Sequence, residues 1–155
     1  MKTAYQPHGV WRTFGCNSMA LVAGTGRQVL LSGQVAWDEQ RRVVGVGDMG
    51  AQTRQTLRNI QASLEVVGGT MDDIVSLLTH VTTLEGLDAI HDVRASFFSE
   101  PYPVSTLVQV TALVHPDLLL EITAVALVPE ERYREPDVTT VDTFDVSDDG
   151  FNLRG

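Results

Sequence analysis

The sequence predicts an α+β domain in which a mixed sheet carries two helices on one face, with the element order β-β-α-β-α-β-β. Three observations lead there. Apolar residues recur at helical spacing over residues 48–67 and again over 87–99. Proline-free, mostly apolar runs at 29–35 and 118–128 and a run rich in β-branched residues at 74–84 read as strands. Apolar side chains make up 43% of 155 residues, enough for one sizeable core.

The elements follow in order. A first strand is expected over Met19–Ala23 and a second over Val29–Val35, with Gly24-Thr25-Gly26 as the turn between them. Asp38-Glu39-Gln40-Arg41-Arg42 reads as a polar hairpin tip. The first helix runs from Asp48, a cap by residue type, to Val67. Leu57, Ile60, Leu64 and Val67 share one of its faces, and Gly68-Gly69 ends it. A strand over Ile74–Leu84 leads to a second helix over Leu87–Ser99, in which Leu87, Ile90, Arg94 and Phe97 or Phe98 share a face. Pro101 and Pro103 stop that helix. Strands over Ser105–Leu113 and Leu118–Val128 close the domain, the last so apolar that cover on both faces is expected.

Residues 1–128, with a core from about 15, form the domain in this reading, and 129–155 an acidic extension. Residues 130–155 hold eight acidic and three basic side chains, and no period emerges there. Tyr133, Phe144, Phe151 and Leu153 are spaced apolar anchors by which this segment would pack against the rest. The net charge of −9 leaves no basic stripe for phosphate binding, so a nucleic-acid partner is not expected. No apolar run approaches the ~20 residues that span a bilayer, and none has the form of a secretory leader. A single cysteine, Cys16, suits a reducing cytoplasm.

Glu121 is the most informative side chain. It is the only charge in Leu118–Leu127, and a carboxylate in a buried strand is costly unless it is paired, protonated or used. A structural ion pair and a proton-transfer role are both open on the residues alone. Ser32-Gly33-Gln34 ends a strand with a glycine that either lets a ligand approach or marks a β-bulge. His8, His80, His91 and His115 show no metal-ligand spacing, so a metal site is not expected.

Several of these stretches together resemble the Rid (YjgF/RidA) family of reactive-intermediate deaminases. Leu31-Ser32-Gly33-Gln34 is similar to its strand ending in S-G-Q. Gln52 to Ile60 is similar to the Q-x-x-Q-x-L-x-N start of its first helix. Phe97-Phe98 resembles the end of its second helix, Pro103 to Val110 its P-A-R-S-x-V-x-V strand, and Glu121-Ile122 its last strand. The resemblance covers about residues 15–128. It implies a chorismate-mutase-like fold, a homotrimer with helices outside, and small-molecule clefts between subunits. The activity implied is hydrolysis of enamines and imines such as 2-aminoacrylate, without a cofactor. Glu121 would position or activate the attacking water. Ser32, Gly33, Asn17, Phe98, Val104, Ser105 and Thr106 would line the cleft, and His91 replaces an asparagine that faces it.

One departure bears on specificity. The family's deaminases hold the substrate carboxylate with the arginine of P-A-R-S, and with that slot read at Val104 the cation is missing. Simple 2-imino acids would then bind badly, leaving a hydrolase of altered specificity with His91 and Glu121 as its catalytic pair. The alternatives are a non-catalytic binding or sensor trimer, and a ribonuclease, which the acidic charge opposes.

Overall fold

The computed structural model describes residues 1–137. Two short strands, β1 (Thr3–Tyr5) and β2 (Ala20–Val22), pair antiparallel as a separate ribbon. β3 (Arg27–Gln34), β4 (Ile74–Val81), β5 (Val104–Gln109) and β6 (Leu120–Val128) form the main sheet in the order β3-β6-β4-β5. Only β4 and β5 are parallel, so the sheet is mixed as expected. The connection between them carries α2 (Leu87–Ala95), which packs beside α1 (Met49–Val66). The first predicted strand therefore pairs with β1, whose three residues are too few to show a period, and not within the main sheet.

α1 starts where its residues dictate. The Asp48 carboxylate accepts from the Ala51 amide at 2.9 Å, and Gly68 ends the helix at a φ of +79°, which an L side chain resists. Leu57, Ile60 and Leu64 are fully buried against the sheet with Leu77, Leu120 and Ile122. Each such burial contributes roughly 1.5–3 kcal/mol. The polar residues of the same helix fasten loops. Gln52 donates to the carbonyls of Gly45 (3.1 Å) and Asp117 (2.8 Å) and accepts from the Leu119 amide (2.8 Å). Asn59 donates to the carbonyls of Val35 and Trp37, both at 3.0 Å. The helix thus fixes the chain just after β3 and just before β6, the two strands that carry the predicted site.

Three boundaries move. β4 ends at Val81 rather than Leu84, and β5 covers Val104–Gln109 rather than 105–113. α2 ends at Ala95, because the Phe97 and Phe98 amides both turn back to the Arg94 carbonyl. Within one protomer the expected cover of β6 is half met. β6 is covered on one face only: Leu120, Ile122, Ala124, Ala126 and Val128 are buried, while Glu121, Thr123, Val125 and Leu127 are half-buried on the other face. The hairpin tip at 38–42 is present, closed by the Trp37–Val43 bridge and the Asp38–Arg42 ion pair.

The described start of the acidic extension lies against the domain. Arg134 donates to the carbonyls of Val66 and Glu65 at the end of α1, and Arg132 pairs with Asp73. The Arg27 guanidinium lies over the Tyr133 ring at 5.2 Å. The other three anchors, Phe144, Phe151 and Leu153, lie outside the described residues.

Candidate functional site

The residues predicted to form one site fall into two groups. The first lies on the open face of the sheet. β3 and β6 slip register between Leu31 and Gln34, so that Ser32 and Gly33 together oppose Thr123. This is a β-bulge, and it also makes room. The Glu121 side chain lies over Gly33: a Cβ there would stand 2.8 Å from its carboxyl carbon and 3.1 Å from its Cγ. Gly33 has no left-handed φ, so space is the requirement and not backbone freedom. Of the two readings of Ser32-Gly33-Gln34 the β-bulge is the one seen, and the space above the glycine is taken by the Glu121 side chain. On β4, His80 is the register partner of Glu121, a pairing that no local sequence pattern singles out. Opposed residues of an antiparallel pair hold their Cβ atoms about 4.5–5.5 Å apart.

The same face carries exposed apolar side chains farther along the sheet. Leu30 is 71% exposed and is the register partner of Val125; Leu78 (37%) and Val108 (40%) continue the patch across β4 and β5. Val104 and Thr106 stand on this face too, because Leu77 and Ser105, which pair with each other, point to the helices. β5 is two strands from β6, so Thr106 is about 10 Å from the row of Glu121.

The second group lies behind the sheet, where α2 meets the loop of residues 13–18. His91 packs under Gly15, where an added Cβ would be 2.9 Å from its Nδ1, and its ring is 6.2 Å from that of Phe14. Asn17 donates to Thr13 Oγ1 at 2.7 Å and borders a surface depression with Ser18, Glu100, Pro101 and Tyr102. Ser18 ties the loop to the start of β5 through the carbonyls of Pro103 and Tyr102. Phe98 is buried in the main core. His91 and Glu121 are therefore on opposite sides of the sheet within a protomer.

Arg94 is the residue that sequence reasoning undervalued. It sits on the buried face of α2, 3% exposed, yet among the described residues it forms no ion pair. Its guanidinium donates to the Cys16 carbonyl at 2.8 Å and to Ser105 Oγ at 3.1 Å, and stands 5.9 Å from the centre of the Phe98 ring. Burial pushes its pKa down, away from the charged form, and the nearby Cys16 only partly opposes this. The signal was a cation within an apolar helical stripe. A further correction follows from position. Laid on Pro103 residue by residue, P-A-R-S puts Val104 at the alanine and Ser105 at the arginine. The missing guanidinium thus belongs to the position that Arg94 now touches.

Three buried polar atoms in this group lack a hydrogen-bond partner: Asn17 Oδ1, His91 Nδ1 and Arg94 Nε. Among the described residues no three His, Cys, Asp or Glu side chains gather as a metal would need, and no helix is long and apolar enough to cross a membrane.

Comparison with known proteins places these features in a family. Residues 17–128 match the family described as Endoribonuclease L-PSP. A RutC family protein of Pyrococcus horikoshii is 31% identical over 115 residues, which are 74% of this chain and 89% of that protein. A Rid-family protein from Yersinia pestis, itself of unknown function, superposes with a TM-score of 0.75 at 31% identity, covering 82% of this chain and 98% of its own. TdcF of E. coli, solved with bound serine, gives a TM-score of 0.60 at 31% identity, over 68% of this chain and 84% of its own.

Proposed function

Since the chain belongs to the Rid/YjgF family, whose model is described as Endoribonuclease L-PSP, we propose that it is an imine and enamine hydrolase of altered substrate specificity, working in clefts between the subunits of a homotrimer. The observation that carries this reading is the Glu121 carboxylate, seated over the Gly33 bulge in an apolar, half-open face. A pure binding protein has less use for an acid there.

In the proposed reaction Glu121 takes a proton from water as the water oxygen bonds to the imine carbon. The product of that step is a carbinolamine. The protonated Glu121 then returns its proton to nitrogen, the same carboxylate carries the hydroxyl proton to nitrogen as the C=O bond forms and the C–N bond breaks, and the carbonyl compound and ammonia leave. An enamine first takes a proton on carbon to become the imine.

Two features support assembly. Leu30, Leu78, Val108 and Val125 form an apolar patch of the kind that a second copy covers. The two groups of site residues also lie on opposite sides of one sheet, as two halves of clefts completed by neighbouring subunits would. In this proposal Ser32, Gly33 and Glu121, with Val104 and Thr106 on the same face, come from one protomer and Asn17 and His91 from its neighbour, while Phe98 lies in the core and Ser105 turns to Arg94. The substrate is a small nitrogen compound, as the serine bound to TdcF suggests. A role on RNA is opposed by the net charge of −9.

The test is ammonia and keto-acid release from 2-aminoacrylate and bulkier enamines generated in situ. The protein should accelerate release from at least one of them. Release at the uncatalysed rate across the panel would leave the binding or sensor reading in its place.

A further inference from the structure

The main sheet is almost free of ionisable side chains. Among β3, β4, β5 and β6 only Arg27, His80 and Glu121 can carry a charge. Arg27 is at the far end, opposite Val128, whereas His80 and Glu121 are register partners. Both stand on the open face: Thr79 and Val81 on either side of His80 are buried towards the helices, as are Leu120 and Ile122 beside Glu121. The other neighbours of His80 on that face do not titrate. They are Val108, its partner on β5, the diagonal Thr106 and Thr123, and Leu78 and Thr82 along its own strand.

Opposite charges facing each other across two strands commonly serve to attract the strands. This pair does not close on itself. Among the described residues neither side chain makes an ion pair or a hydrogen bond, and both residues are only half-buried. The Glu121 carboxylate leans the other way, over Gly33 on β3. β3 and β4 flank β6 and so lie about 10 Å apart. A carboxylate on one side and an imidazole on the other thus border an open strip of sheet. Imidazole is the side chain that ordinarily takes and gives a proton near neutral pH.

We propose that His80 is the second proton-transfer residue of this site, serving the substrate nitrogen while Glu121 serves the water. This rests on the hydrolase reading above and divides between two groups the proton work assigned there to one. The imidazolium gives its proton to the imine nitrogen as the water oxygen bonds to carbon and Glu121 takes the water proton, which leaves a neutral carbinolamine. The protonated Glu121 then gives its proton to the amine. The hydroxyl proton passes to the imidazole as the C=O bond forms and the C–N bond breaks. Ammonia leaves, and both groups regain their starting states.

The test is kcat/KM against pH for the best enamine substrate, with the full-length protein. Wild type should give a bell-shaped profile. His80→Gln stays polar but cannot carry a proton, so it should lose the alkaline limb and fall by about 10²-fold at the optimum. Its melting temperature should stay near that of wild type, because the half-exposed side chain makes no hydrogen bond. Added imidazole should restore turnover to His80→Ala and not to Glu121→Gln. His91 is the other imidazole proposed to line the cleft, and His91→Asn should keep the alkaline limb. A wild-type profile in His80→Gln would overturn the proposal. So would an equal loss at every pH with no imidazole rescue of His80→Ala, or loss of the limb in His91→Asn. Turnover abolished by Glu121→Gln but kept by His80→Gln would overturn this proposal alone, whereas no turnover by wild type would overturn the hydrolase reading with it.

Discussion

Replacing Gly33 by alanine tests whether the bulge exists to seat Glu121. The added Cβ would lie 2.8 Å from the Glu121 carboxyl carbon and 3.1 Å from its Cγ. Carbon atoms sit comfortably at about 3.5–4.0 Å, and Glu121 Oε1 stands closer to the added Cβ than either carbon, so the carboxyl group must retreat by about 1–2 Å. The obstacle is the end of a flexible side chain and not backbone, so the fold absorbs it. The strain is opposed by the roughly 0.4–1 kcal/mol that alanine saves in the unfolded chain, and the melting temperature should hardly move. Catalysis should not be so tolerant, because a displacement of about 1 Å at a reacting group costs on the order of 100-fold in rate. The assay is kcat/KM for the best enamine substrate, read beside the melting temperature. Full activity in Gly33→Ala would refute the reasoning, since the position of the Glu121 carboxylate would then not matter. A collapse in stability would refute the claim that the side chain can yield.

Other outcomes follow from the same structure. Leu30→Glu places a charge on the exposed apolar patch and should convert the proposed trimer to smaller species by light scattering; an unchanged mass would remove the open face from the proposed interface. Asp73 is pushed up by burial but held below the usual carboxylate range by Arg132 and Thr70. Its stabilising contribution is therefore present above the unfolded value of about 4 and lost as pH falls below it, and Asp73→Asn should remove this part of the acid sensitivity at a cost of about 1–3 kcal/mol. Truncation after Val128 removes the Arg132 and Arg134 contacts to Asp73 and the end of α1 and should lower the melting temperature; an unchanged value would make the extension dispensable for stability.

Much of this was legible in the sequence because hydrophobic period is a direct image of packing. Leu57, Ile60 and Leu64 recur at helical spacing because one face of α1 is buried, and Asp48 and Gly68 mark its ends through local chemistry. Gln52, Gln55 and Asn59 of α1 carry a family resemblance, and in the structure Gln52 and Asn59 fasten loops while Gln55 donates to Asn59. β6 misled for a physical reason: Val125 and Leu127 are apolar on a face that a single protomer leaves half open, and an apolar residue reads the same whether its cover comes from its own chain or from another. Glu121 and Gly33 were found separately, but their contact depends on a register slip that no local pattern encodes. His91 was paired with Glu121 by role, whereas strand alternation and helix placement put them on opposite sides of the sheet. Arg94 was visible as a cation within an apolar stripe, yet only the packing of α2 on β5 shows it reaching Ser105.

The most direct test of the account is turnover by Glu121→Gln. Glutamine keeps the shape over Gly33 but cannot take a proton from water, so kcat should fall by about 10²–10⁴-fold while the assembly stays intact by light scattering. A glutamine variant as active as wild type would contradict the central claim, because water would then be activated without the one carboxylate that the fold seats on its open face.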